Sequence, residues 1–385
     1  MTLVRPLRIL AASALAVGFG AGVLGIAGTA GADPIPTFTP HDGHALFIET
    51  DRSSGNEILA YRRAVDGTVS LVRTYRTGGR GATAVGATAD PLASQGGLAL
   101  VNGDRDLLAV NAGSDTVSLF LVRGTSLHLV QTIGSGGEFP ASIAADGSRV
   151  AVLNSGGAGA VAEFRLLGNH LVALPNEVRS LGLDNTDPPG YLAGAGQVGF
   201  TPDGSHLVVT TKGSSNSYEV FSVSPAGNLG VTPVVTTSAT AVPFAFSFDA
   251  AGQLVGAEAG TSTVSTYTVN PSGSLTLVGS VSDGAKALCW ITGVNGTFYG
   301  SNAGSGTVSA FSVNGLGAPV LDAATAATTH PGTTDSAASP GGRFLYVESG
   351  GSGAFDAFAV NANGSLSPIE TVWNIPVGSE GIAVS

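Results

Sequence analysis

Ala303-Gly304-Ser305-Gly306-Thr307-Val308-Ser309-Ala310-Phe311 is the stretch that decides how this chain reads, because close copies of it return along the sequence. Residues 106–122 read DLLAVNAGSDTVSLFLV, residues 252–269 read GQLVGAEAGTSTVSTYTV, and residues 296–313 read GTFYGSNAGSGTVSAFSV. Weaker copies lie at 44–63, 148–166, 205–223 and 343–360. Each copy is an alternating run, a Gly/Ser/Asn turn and a second alternating run, which is the pattern of a β-hairpin. Successive starts at 44, 106, 148, 205, 252, 296 and 343 are mostly about 42–57 residues apart, a period that fits propeller blades and not helical solenoids.

Working outward from the hairpin, each unit parses into four strands. The third unit shows it: strands at 141–144, 149–153, 160–166 and 170–174, with a turn at Asp146-Gly147 after the first. The same inner turn returns as Pro202-Asp203-Gly204, Ala250-Ala251-Gly252 and Pro340-Gly341-Gly342. An outer turn returns as Asp66-Gly67, Pro225-Ala226-Gly227, Pro271-Ser272-Gly273 and Asn363-Gly364. Turn chemistry at fixed offsets predicts an all-β fold, a seven-bladed β-propeller of four-stranded blades over residues 44–385. The first unit lacks its leading strand, whereas Gly381-Ile382-Ala383-Val384-Ser385 follows the seventh and matches an inner strand. That tail is expected to complete blade one and close the ring, which removes the open sheet edges.

Residues 1–32 read as a secretory signal peptide: Arg5 and Arg8, an apolar stretch from Ile9 to Ala27, then Ala30-Gly31-Ala32 as a cleavage site. The stretch is also near the length of a membrane span, so retention as an anchor is the rival reading. Residues 33–43, with Pro34, Pro36 and Pro40, form an extended lead-in. The reading is therefore of a secreted or cell-envelope protein, a monomer with no membrane attachment after cleavage. The net charge of −11 becomes about −13 once Arg5 and Arg8 are removed, which argues against nucleic acid and anionic membrane surfaces as partners. A single cysteine, Cys289, excludes an intrachain disulfide framework.

The repeated grammar resembles that of the lactonase-type seven-bladed propellers, the family of 6-phosphogluconolactonase and carboxymuconate cyclase. Pro202-Asp203-Gly204, the run from Asn302 to Ser309, and Arg343-Phe344-Leu345-Tyr346-Val347 carry the resemblance, which spans residues 42–385. It implies a small lactone, often carboxylated, as substrate, and a histidine, acids and arginines as the acting residues. The matching links here, Glu138-Phe139-Pro140-Ala141 and Val242-Pro243-Phe244-Ala245, carry neither histidine nor arginine.

In a blade, the turns between second and third strands share a face with the links between blades. Those links are long here at 77–95, 178–196 and 323–335, so function is expected on that face, around the channel mouth. Where each second strand ends stand Glu49, Asn111, Asn154, Lys212, Glu258, Asn302 and Glu348. Asn suits tight turns, which leaves Lys212, Glu258 and Glu348 as the less easily explained members. Before each inner strand stand Gln95, Glu138, Gln197, Phe244, Lys286, Asp335 and Glu380, expected to rim the opening. Two mechanisms could use these positions. Glu258 or Glu138 could act as general base while Lys212 or Lys286 stabilises an oxyanion. Alternatively, Glu and Asn oxygens could hold a divalent cation, calcium or magnesium, that polarises a lactone carbonyl. Trp290 could floor a pocket for a sugar-like or ring ligand. Cys289 beside it has no neighbouring histidine base and reads as a buried thiol. The six histidines show no ligand spacing, and no nucleophile elbow, zinc motif or phosphate loop occurs. A non-catalytic binding or interaction propeller of the cell envelope or secretome is the competing reading.

Overall fold

The computed structural model describes residues 44–385; the candidate signal peptide and lead-in lie outside the described residues. Seven antiparallel four-stranded sheets follow one another along the chain, each ordered from inner to outer strand. Blade one is the exception in sequence, since its inner strand is Ile382–Val384, paired to Ala45–Glu49 with Ile48 opposite Ile382. Ser385 extends the closure: its Oγ accepts the Ala45 N–H at 3.0 Å, and its carbonyl accepts Arg63 Nη2 at 2.8 Å. No helix among the described residues is long and apolar enough to cross a membrane.

Burial follows position in the blade. Second strands such as Asp106–Asn111 and Leu254–Glu258 are buried at every residue, because both faces of the sheet meet a neighbouring blade. Outer strands such as Val69–Arg76 are largely exposed, Leu71 and Val72 among the exposed residues beside Arg73 and Arg76. The core therefore lies between blades, as apolar clusters such as Phe47, Leu107, Phe120 and Leu98 between blades one and two. Tyrosines at one position of the second strand tie adjacent blades together. Tyr299 donates to the Gly364 carbonyl and Tyr346 to that of Gly67, both at 2.8 Å, each reaching the outer turn of the next blade.

The founding stretch has a structural account. Within the turn after the second strand of blade six, the N–H groups of Ser305 and Gly306 both bond the Asn302 carbonyl, and Gly306 takes a left-handed φ of 64°. Asp115 and Ser262 occupy the same left-handed position in blades two and five, at 52° and 47°. The serine of Thr-Val-Ser then faces back across the hairpin. Asn302 Nδ2 donates to Ser309 Oγ at 2.8 Å, Asn111 Nδ2 to Ser118 Oγ at 2.8 Å, and Ser265 Oγ donates to Glu258 Oε2 at 2.8 Å. The motif recurs because it bolts the second strand of a blade to its third.

Candidate functional site

Three inner strands begin with the same irregularity. In blades three, five and six the pairing shifts between Pro140 and Ser142, Pro243 and Ala245, and Leu288 and Trp290. The residue ahead of each shift is left-handed: Phe139 at φ 55°, Val242 at 62° and Ala287 at 57°. For the β-branched Val242 such a backbone is uncommon and strained. These bulges insert Ala141, Phe244 and Cys289, and bulges beside a site serve to re-aim side chains.

Against them packs the end of the link between blades one and two, which plugs the axis. Asp90 Oδ1 and Oδ2 accept the N–H groups of Ala93 and Ser94 at 2.7 and 2.9 Å, closing a tight turn. Ser94 Oγ donates to the Ala141 carbonyl at 2.7 Å, and Trp290 Nε1 donates to the Ser94 carbonyl at 2.7 Å. Gln95 reaches blade six, taking the Ile291 N–H at 3.0 Å and giving Nε2 to the Ile291 carbonyl at 3.1 Å. Lys212, on the strained turn after the second strand of blade four, donates Nζ to the Ala93 carbonyl at 2.6 Å.

Around the plug lies a group of buried carboxyls. Burial, reinforced by neighbouring acids, pushes Glu49, Asp51, Glu348 and Glu380 well above the usual carboxylate range. Burial raises Asp335 to about 7 despite N–H bonds from Ser336 and Gly96. It likewise raises Asp90 to about 7, against the pull of its backbone donors and of Lys212. Lys212 is itself pushed down to about 8 by burial, opposed by Asp90, Cys289 and Glu380. Both carboxyl oxygens of Glu380 are buried without a partner, as are Oε2 of Glu49, Oδ1 of Asp51 and Oε1 of Glu348. Yet no group of three His, Cys, Asp or Glu side chains among the described residues is disposed to hold a metal ion.

Above the plug opens a pocket of about 630 Å³. All three long links contribute to it: Ala87 to Asp90 from the first, Tyr191 and Leu192 from the second, and Pro331 and Gly332 at the end of the third. Blades five and six supply Phe244, Trp290 and the alanines at 259, 287 and 303. The Phe244 and Trp290 rings meet edge-to-face with centroids 5.0 Å apart, and Lys212 Nζ lies 5.3 Å from the Phe244 centroid. Two N–H···O bonds, Val85 to Pro189 at 2.8 Å and Tyr191 to Val85 at 3.0 Å, join the first two links over this region.

The residues picked from sequence divide accordingly. Phe244 and Trp290 line the pocket, Gln95 and Lys212 hold the plug, and Asp335, Glu348 and Glu380 belong to the buried carboxyl group. Gln197 accepts the Phe246 N–H at 2.7 Å and braces blade four to blade five. Glu258 sits apart, its carboxylate taking hydroxyls of Ser238, Thr240, Ser265 and Tyr267 at 2.5–2.8 Å. Asn302 is a hairpin bolt. Glu138 and Lys286 are exposed and outside the pocket lining. Their carbonyls take the N–H groups of Gly156 and Gly304, the place that Ala241, not Phe244, holds in blade five. Phe244 is instead the bulged counterpart of Ala141 and Cys289, three residues further along, so the rim expected from sequence joins positions that are not equivalent in these three blades. Asp90 was not singled out from sequence. It lies in a link outside the repeat, and only Asp90-Pro91, a turn-initiating pair, marks it.

No family model matches the sequence, and no curated protein matches it. Solved structures do. A Bacteroides fragilis protein provisionally named a 6-phosphogluconolactonase aligns with TM-score 0.67 and 16% identity, over 91% of this chain and 100% of its own. A similarly named protein of Bacteroides uniformis gives 0.68 and 17%, over 90% and 100%. The periplasmic gluconolactonase PpgL of Pseudomonas aeruginosa gives 0.68 and 18%, over 89% and 98%. At such identities the likeness is one of fold, and in fold this chain resembles the lactonase-type seven-bladed propellers.

Proposed function

We propose that the protein is a lactonase-like hydrolase whose reaction takes place in the pocket above the plug. The observation that carries this is the place of Asp90: a carboxyl on the pocket wall, in a turn whose Ala93 carbonyl takes the Nζ of buried Lys212, with burial raising its pKa to about 7. A base poised near neutrality suits removal of a proton from water. Each Asp90 oxygen keeps a lone pair beyond its backbone bond. Water adds to the lactone carbonyl as Asp90 takes its proton. The tetrahedral intermediate then expels the ring oxygen, which recovers that proton, leaving an open hydroxy acid. Lys212 favours the ionised form of Asp90, and Thr88 and Tyr191 are the hydroxyl-bearing residues of the lining. The fold shared with a periplasmic gluconolactonase is consistent with this chemistry.

The test is hydrolysis of a lactone panel by wild type and Asp90→Asn, whose one carbonyl oxygen can accept from either the Ala93 or the Ser94 amide but not both. Turnover per folded molecule that falls roughly a hundredfold or more, with the fold retained by circular dichroism, supports the role. Full activity in the variant, or no turnover of any lactone by wild type, overturns it.

One observation favours a non-catalytic binding propeller instead. Both Asp90 oxygens already hold backbone N–H groups, as a carboxylate that merely shapes a loop would. That reading expects saturable ligand binding without turnover. Export to the envelope or medium is part of the proposal; it rests on the pattern of residues 1–32, and cell fractionation with N-terminal sequencing of the mature protein tests it.

A further inference from the structure

The pocket's chemistry narrows its ligand. We propose that it takes an uncharged lactone bearing an apolar substituent, in preference to a sugar lactone or a phosphorylated or carboxylated one; this rests on the lactonase-like reading above. Recognition of phosphate or carboxylate calls for arginine, lysine or a cluster of N–H donors. The lining contains no arginine, lysine or histidine. Its single carboxyl is Asp90, which repels an anion once ionised, and the nearby cation, Lys212, lies outside the lining with its Nζ given to the Ala93 carbonyl. Lys286 is exposed to solvent outside the lining.

A polyhydroxylated ring fares little better. Each hydroxyl taken from water without a partner is costly. The lining offers few partners: beside Asp90 only Thr88 and Tyr191 bring hydroxyls, Trp290 has already given its one N–H to the Ser94 carbonyl, and burial pushes the Cys289 thiol up to about 12. Trp290 is 2% exposed and Phe244 4%, so the floor offers a sugar no open aromatic face, and Tyr191 on the second link is the one aromatic of the lining that is exposed. What the walls do offer is apolar contact, from Ala87, Leu192, Val242, Phe244, Ala303 and Pro331. About 630 Å³ exceeds what a bare five- or six-membered ring needs and lies in the range that holds a drug-sized ligand. The geometry thus has one ionisable point, Asp90, for the reacting carbonyl and its water, and a mostly apolar chamber for the rest of the molecule.

The experiment is calorimetric and fluorescence titration of the full protein with γ-lactones carrying unbranched alkyl chains of increasing length. Glucono-δ-lactone and its 6-phosphate serve as the polar and anionic counterparts. Trp373→Phe leaves Trp290 as the sole tryptophan reporter. Each added methylene is expected to tighten binding roughly three- to fourfold until the chamber is full. The two sugar lactones are expected to bind at least about a hundredfold more weakly than the longest alkyl lactone that fits. Ala303→Leu, or Ala87→Leu if the first melts early, should weaken long-chain binding and spare the short-chain lactone. Affinity independent of chain length, or preference for either sugar lactone, overturns the ligand class and leaves the lactonase reading standing. Chain-dependent binding without hydrolysis confirms the ligand class and removes the catalytic reading. Failure of every lactone to bind removes both.

Discussion

Lys212 Nζ and the Ala93 carbonyl, 119 residues apart in sequence, meet at 2.6 Å across the top of the channel. The bond joins a side chain from blade four to the plug that carries Asp90, so the charge of the lysine and the pKa of the proposed base are set in one place. Replacing the lysine by methionine removes that charge while keeping the stem. The Asp90 carboxyl should then titrate higher by roughly one unit or more. Since activity requires the ionised form, the acidic limb of the kcat/KM profile should move upward by the same amount. A profile that stays put would show that the lysine does not tune the base.

Stability should depend on pH in an unusual direction. Glu49, Asp51, Asp90, Asp335, Glu348 and Glu380 all have raised pKa values in the folded state, chiefly through burial. Between the ordinary carboxylate range and about pH 7 the folded protein therefore binds more protons than the unfolded chain. Their contribution is complete below about pH 4 and declines as pH rises through 7. Melting temperature should accordingly be higher near pH 5 than near pH 8, by several degrees. Scanning calorimetry across that interval checks it, and a rise in melting temperature over the same span would contradict the protonated state assigned to these acids.

Glu258 is expected to behave as a structural residue. Its carboxylate collects four hydroxyls in a fully buried site. Glu258→Ala would strand those groups and should cost about 3 kcal/mol or more. Urea unfolding would show a lower midpoint, while activity per folded molecule stays near wild type. Loss of turnover with an unaltered midpoint would instead restore Glu258 to the candidate base.

The interblade tyrosines offer a smaller, graded test. Tyr346→Phe leaves the Gly67 carbonyl without its hydroxyl donor and should cost about 1 kcal/mol. Tyr299→Phe should do much the same at Gly364, and the two should not add perfectly, since both load blade seven. Denaturant melts of the single and double variants would show it.

Closure of the ring is tested by removing residues 381–385. The strand supplies three register pairs to blade one, and Ser385 anchors both Ala45 and Arg63. Without it the Ala45–Glu49 strand becomes an exposed, wholly apolar edge apart from Glu49. A sharply lower melting temperature with concentration-dependent aggregation is expected. An unchanged melt would mean that blade one holds without its inner strand.

Blade number, strand order and the closing strand could all be read from the chain, because turn residues recur at offsets that only a repeated four-stranded sheet explains. Trp290 was named from sequence as a pocket floor and Phe244 as a rim position before its inner strand, and both border the pocket, Phe244 through the bulge that follows Val242. Side-chain direction was less legible. Asn302 and Glu258 end equivalent strands, but whether that position bonds its own hairpin or turns inward depends on a partner seven residues on: Ser309 and Ser265 for these two, whereas the place beyond Glu348 holds Phe355. Asp90 escaped because repetition says nothing of a link that occurs once.

The two bonds from the Gln95 amide to Ile291 act as a strut across the middle of the ring. Stacked-repeat proteins ordinarily fray from one end, since each unit touches only its neighbours. Here the second blade is fastened directly to the sixth, so slackening on one side is resisted from the far side. Such a tie favours loss of structure as a single event, with no partially unwound circle along the way.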